Sequence, residues 1–149
     1  MSGTRVHHSA ICARDIDESV RFYRDGIGLT VMMDGEFEGD WPTLFAARGT
    51  KLRSVFLGDP ELADAGILEL VAFVDGMADA PTAPAEPAPG FLLVSLYVDV
   101  DPTLQRLAAL GLGGEPRRIS LPGPAGAVTI ATVRDPDGVL VELIDTSAS

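Results

Sequence analysis

The sequence predicts an α+β fold built from two βαβββ modules. Three observations carry that expectation. Apolar runs of strand length and a helical stripe follow the order strand-helix-strand-strand-strand, and that order occurs twice. Two markers repeat along the chain: Asp15-Ile-Asp17 reappears as Asp99-Val-Asp101, and Leu68-Glu-Leu-Val71 as Val141-Glu-Leu-Ile144. Between the copies, residues 76–90 set Pro81, Pro84, Pro87 and Pro89 among Ala, Asp, Thr and Glu, the composition of an extended, exposed linker. Residues 1–75 are therefore read as the first module, 76–90 as the linker and 91–149 as the second module, within one structural domain.

In the first module, Val6 to Ala13 is apolar with polar interruptions and reads as a strand. Asp15 or Asp17 caps a helix with Glu18 in its first turn, Ile16, Val20, Tyr23 and Ile27 fall near helical spacing, and Gly26 and Gly28 end it. Leu29 to Met33 reads as a short strand, followed by an acidic loop from Asp34 to Asp40. Leu44–Ala47 and Leu52–Leu57 read as a hairpin around Arg48-Gly49-Thr50. Gly58-Asp59-Pro60 breaks the chain before a strong strand, Ile67 to Val74, that carries one charge, Glu69.

The second module repeats the plan. Leu92 to Val98 is a strand, and Asp99-Val-Asp101-Pro102 opens a helix whose stripe is Leu104, Leu107, Ala108 and Leu110 and whose end is Gly111. Strands follow at about Glu115–Leu121 and Ala127–Val133. Asp135-Pro-Asp-Gly138 is a turn, and Val139 to Ile144 is the last strand, again with a single charge, Glu142.

Composition narrows the function. The chain has 149 residues, 46% of them hydrophobic, enough for one core without disulfides, and its one cysteine, Cys12, fits a reducing cytoplasm. Eleven basic against 22 acidic residues give a formal charge of −11. Such a chain, with no basic cluster longer than Arg117-Arg118, is a poor partner for nucleic acid and is repelled by anionic membranes. The first residues lack the apolar core of a signal peptide, and no run approaches the roughly 20 apolar residues of a membrane span.

The repeat picks two carboxylates out of the acidic background. Glu69 and Glu142 hold matching places in apolar strands, where a charge is expensive unless paired or bound to a cation. His8 lies in the first strand, and His7 and His8 are expected to point to opposite faces of it. Two carboxylates and an imidazole suit Mg²⁺, Mn²⁺, Fe²⁺, Ni²⁺ or Zn²⁺. A solvent-facing strand position is the plainer account of each residue taken alone. Cys12, four residues after His8, shares its strand face. Trp41, Phe45 and Phe56 are candidates to stack on an aromatic ligand, and Arg53, a cation in an apolar strand, to meet an anionic substrate or pair with a Glu.

Two segments resemble a known family. His8-Ser-Ala-Ile-Cys-Ala-Arg-Asp15 with Phe22-Tyr23-Arg-Asp25-Gly-Ile-Gly28, and the ending Asp135-Pro-Asp-Gly-Val-Leu-Val-Glu142-Leu-Ile, are similar to the opening and close of the vicinal oxygen chelate superfamily. That group includes glyoxalase I, methylmalonyl-CoA epimerase, extradiol dioxygenases, and fosfomycin- and bleomycin-resistance proteins. The resemblance implies paired modules whose sheets form a cupped, partly open mixed β-barrel with flanking helices. It implies metal ligands on the first and last strands of each module, which fall on His8, Glu69 and Glu142, with the fourth place on Leu92. A leucine there leaves three protein ligands.

Two functions follow as expectations. One is a divalent-metal-dependent lyase or isomerase of glyoxalase or epimerase type, acting on a small oxygenated substrate, with Glu69 or Glu142 as base and His8 fixing the ion. The other is a metal-free small-molecule binder of bleomycin-resistance type, its pocket lined by Cys12, Trp41, Phe45, Arg53, Phe56 and Leu92. Dioxygenase chemistry ranks third, because no histidine follows His8. Proteins of this plan are expected to be homodimers.

Overall fold

The computed structural model describes residues 3–146; residues 1–2 and 147–149, the outer ends of the two modules, lie outside that range. Within it the chain is α+β and divides into two compact units, one of the residues up to Arg24 with Gly28–Ala80, the other of Asp25–Ile27 with the residues from Pro81 onward.

The first unit holds strands β1 (His8–Cys12), β2 (Thr30–Glu38), β3 (Lys51–Gly58) and β4 (Ile67–Phe73), in the spatial order β1-β4-β3-β2. The β1–β4 pair is parallel and the other two pairs are antiparallel. Helix α1 (Ile16–Val20) makes the crossover and packs on β4. Its start follows from chemistry local to the chain: the Asp15 carboxylate accepts a hydrogen bond from the Glu18 amide at 3.2 Å. The helix runs on in wider π-type turns through Arg21–Ile27 and stops at Gly28, whose φ of 104° a side chain would resist. Phe22 and Tyr23, in edge-to-face contact at 4.8 Å, are fully buried with Val55, Leu57 and Leu70.

The second unit repeats the topology. Strands β5 (Val94–Val98), β6 (Gly113–Gly123), β7 (Gly126–Arg134) and β8 (Leu140–Asp145) lie in the order β5-β8-β7-β6, with β5 parallel to β8. Helix α3 (Val100–Ala109) packs on β6, β7 and β8 and buries Val100, Thr103 and Leu107. The Asp135 carboxylate accepts hydrogen bonds from the amides of Asp137 and Val139 at 2.8 and 2.9 Å, which closes the turn into β8. Each sheet is open, with a free strand at either edge. Residues 76–93 contain no helix or strand.

Three expectations are corrected. The acidic stretch from Asp34 is not a loop. It continues β2 to Glu38, because Met33, Gly35 and Phe37 alternate with Asp34, Glu36 and Glu38, the period of an edge strand with one wet face. The partner of β3 is therefore β2, and Leu44–Ala47 is not a strand. Trp41–Phe45 forms the short helix α2 instead, with Pro42 in its first turn and the Thr43 amide donating to the Asp40 carboxylate at 3.3 Å. The first strand of each module is also shorter than its apolar run: His7 lies ahead of β1, and Leu92 ahead of β5.

Candidate functional site

Strand register places the candidate residues. In the first sheet, Glu69 of β4 lies opposite Ala10 of β1 and Phe56 of β3, and Phe56 lies opposite Met33 of β2. Side chains on opposed positions share a face, and neighbours two residues along share it too. His8, Cys12, Ser54, Phe56 and Glu69 therefore stand on one face. The other face carries Ile11, Val55, Leu57, Leu68 and Leu70, all buried.

On the first face, His8 Nε2 lies 3.4 Å from Glu69 Oε1, with the two side chains 37% and 17% exposed. The buried Ser54 hydroxyl donates to Glu69 Oε2 at 2.5 Å, so each carboxylate oxygen has its own neighbour. The His8 ring sits against Phe56 at 5.6 Å, and its Nδ1 faces His7 Nδ1 at 2.8 Å. That contact needs one of the two nitrogens protonated and the other bare. If His8 turns its Nε2–H to Glu69, its Nδ1 is the acceptor and His7 the donor. The alternation argument thus misplaces His7. It precedes the strand, is not bound by strand alternation, and its ring approaches both His8 and Phe56.

Sheet two has a matching row. Glu142 of β8 lies opposite Ser95 of β5 and Thr132 of β7, and Thr132 lies opposite Arg117 of β6. The Ser95 hydroxyl donates to Glu142 Oε1 at 2.8 Å. Glu69 and Glu142 are therefore equivalent by register as well as by sequence, and each holds one serine hydroxyl from a neighbouring strand. Neither serine was found from sequence, because the pairing that brings it to the carboxylate is set by register alone.

Register also corrects the fourth position. Since Glu69 faces Ala10 and Glu142 faces Ser95, the residue matching His8 is Leu93, not Leu92. The helix caps repeat with a spacing one residue shorter than the strands do, and this misled the count. Leu92 lies ahead of β5 and is 53% exposed.

The remaining candidates separate. Cys12 is exposed on the His8 face. Trp41 stacks on Phe45 at 5.8 Å, and Phe45 meets the edge of Phe73 at 6.1 Å. Phe73 is on the Glu69 face, four residues further along β4. Phe45 stays 55% exposed, which makes this an aromatic shelf and not core. Arg53 belongs to the opposite face. It donates to both oxygens of Asp34 at 3.0 and 2.9 Å and to Asp17 of α1 at 2.9 Å. Those hydrogen bonds hold the Asp34 carboxyl below its usual range and the guanidinium above its own. Arg53 ties α1 to the sheet, and its charge is already matched.

Among the described residues, no three His, Cys, Asp or Glu side chains gather as a metal centre. The donors that do meet, one imidazole and one carboxylate, fit a divalent ion in chemistry and supply two ligands.

The chain belongs to the Glyoxalase/Bleomycin resistance protein/Dioxygenase superfamily, whose family model matches residues 5–143. It is 37% identical to the lactoylglutathione lyase-like protein terB of Aspergillus terreus, over 93% of this chain and 74% of that protein. It is 28% identical to a probable lactoylglutathione lyase of Vibrio cholerae, over 97% of this chain and 92% of that one. Among solved structures, it resembles a glyoxalase family protein of Bacillus cereus with a TM-score of 0.73 at 23% identity, covering 97% and 95% of the two chains. The trypanothione-dependent glyoxalase I of Leishmania major matches with a TM-score of 0.61 at 22% identity, covering 97% and 88%. At these identities the solved structures speak for the fold. No helix among the described residues is long and apolar enough to cross a membrane.

Proposed function

We propose that the protein is a divalent-metal-dependent lyase or isomerase of glyoxalase type, acting on a small oxygenated substrate. The observation that carries this reading is the His8–Glu69 pair at 3.4 Å, with a register-equivalent carboxylate at Glu142, in a chain whose relatives bear lyase names. His8 and Glu69 are the first module's residues to hold the ion, and Glu142 is the second module's matching candidate. A divalent ion held by these residues would supply Lewis-acid chemistry to an oxygenated substrate.

This chain's own residues do the rest. A carboxylate of the pair takes the proton from the carbon beside the carbonyl and returns it to the neighbouring carbon. The Ser54 hydroxyl holds Glu69 Oε2 and leaves Oε1 to face His8. The Phe56 ring lies against one side of the His8 ring and helps fix its orientation.

The test is metal analysis of the purified protein after exposure to Ni²⁺, Zn²⁺, Mn²⁺, Fe²⁺ or Mg²⁺, together with an assay of lactoylglutathione formation. Stoichiometric metal that is lost in His8→Ala and Glu69→Gln supports the reading. Protein that retains no metal would overturn it.

One observation favours a second reading, a metal-free small-molecule binder. Leu93, an apolar residue, holds the register position that matches His8, and the Trp41–Phe45–Phe73 shelf, with Phe45 exposed and Phe73 on the His8 face, offers an aromatic surface. Tight binding of flat aromatic compounds by metal-free protein, with no lyase activity, is the result that selects it.

A further inference from the structure

We propose that Arg117 reads a carboxylate on a small molecule bound in the second unit, in a cavity on the same sheet face as Glu142, so that the ligand is an organic acid with an apolar body. The inference rests on Glu142 being a site residue, as above, and adds the substrate class.

Three observations within the second unit support it. The first is placement. Arg117, Thr132, Glu142 and Ser95 form one row across β6, β7, β8 and β5, on the same face by register. Neighbouring strands lie about 4.8 Å apart, so the Arg117 and Glu142 backbones are about 10 Å from each other, room for a small molecule between the two head groups. The contact between Arg118 and the Asp101 carboxylate of α3 confirms the faces: Arg118 turns to the helix, and Arg117 turns away from it.

The second observation is an open valence. In this acidic chain, arginines find carboxylates: Arg5 with Asp64, Arg21 with Glu18, Arg53 with Asp34 and Asp17, Arg118 with Asp101. Arg117 is exposed and makes no hydrogen bond or ion pair among the described residues. Its planar fork is the group best shaped to take a carboxylate through two parallel hydrogen bonds.

The third is a cavity of about 460 Å³ that Arg117 and Thr132 line, with linker residues 83–88 along another side. That volume lies in the range of small-molecule sites. Phe91, Leu92 and Leu140 give it an apolar wall, which is where Leu92 finds a use that its ligand position denies it. Glu86, Glu115 and Arg134 also line it. Neither acid forms an ion pair with Arg117, and Arg134 is engaged with the Gly138 carbonyl at 3.0 Å. The equivalent row of the first sheet, Met33-Phe56-Glu69-Ala10, carries no cation, so the feature is specific to this module.

The experiment is calorimetric titration of the full, metal-free chain with phenylacetate and with phenylacetamide, which has similar shape and no charge. The expected result is binding of the acid, with the amide weaker by about tenfold or more. Arg117→Met should weaken the acid to the level of the amide, and Arg117→Lys should recover part of the loss. Because Arg117 has no partner, both variants should melt with the wild type. Equal binding of acid and amide, an Arg117→Met variant that binds like wild type, or no acid binding at millimolar concentration overturns the proposal. Since no metal is present, failure of the metalloenzyme reading leaves this comparison intact, and the reverse also holds.

Discussion

Ser54 is the residue through which the packing of the first sheet and its chemistry can be tested together. It is 3% exposed, and its hydroxyl donates to Glu69 Oε2 at 2.5 Å. Ser54→Ala keeps the strand and removes the donor. Glu69 then keeps a charge in a strand flanked by Leu68 and Leu70, both buried, with one oxygen unserved. Hydrogen bonds to charged groups are worth roughly 1.5–3 kcal/mol, and Glu69's residual exposure lets water replace part of that. We therefore expect Ser54→Ala to lose about 1–2 kcal/mol, read as a lower urea midpoint at unchanged slope. The same substitution in a Glu69→Leu background should cost little, giving a coupling of about 1 kcal/mol or more in the double-mutant cycle. If Ser54→Ala costs the same in both backgrounds, its hydroxyl does not serve Glu69, and the argument from register to site fails.

Three further outcomes follow. Glu69→Leu, placing an apolar side chain in a strand that is otherwise apolar, should leave stability unchanged or raise it by about 1 kcal/mol while abolishing metal retention; a clear drop in melting temperature would show that the carboxylate is structural. Arg53→Met removes both ion pairs, each half-exposed, and should cost about 1 kcal/mol near neutral pH. Asp34 is held below its ordinary 3.8 chiefly by the Arg53 hydrogen bond, so the folded state binds fewer protons than the unfolded. That stability is complete above the unfolded value and is lost as pH falls through the folded one, so the gap between variant and wild type should close on acidification. Asp15→Ala removes the cap of α1 and should lower stability by about 1 kcal/mol in denaturant titration.

What could be read from the sequence was what is encoded locally. The cap at Asp15, the stop at Gly28 and the Asp135 turn each depend on a few neighbouring residues, and the structure shows each where it was expected. Glu69 and Glu142 were visible because a charge inside an apolar strand stands out without knowledge of its partner. Whatever depends on pairing was hidden. Ser54 is 15 residues from Glu69 and Ser95 is 47 from Glu142, and only register joins them. Arg53 looked like a loose cation because its partners, Asp34 and Asp17, lie 19 and 36 residues away on the face that alternation assigns to the helix. The β2 strand was missed for another reason: its glycine and three acids read as a loop, although their alternation with Met33 and Phe37 is that of an edge strand.

The two sheets keep one carboxylate in one register position and change nearly everything around it. In the first, Glu69 is flanked by Ala10 and Phe56, with His8 diagonal to it and Ser54 beneath. There an exposed imidazole faces a half-buried carboxylate, two donors that suit a cation. In the second, Glu142 is flanked by Ser95 and Thr132, with Arg117 one strand further and Leu93 where an imidazole would be. That surrounding donates hydrogen bonds, which is what an anionic or oxygenated group requires. The two rows therefore offer a ligand different chemistry: an imidazole facing a carboxylate in the first, and a carboxylate in line with hydroxyl groups and a guanidinium in the second.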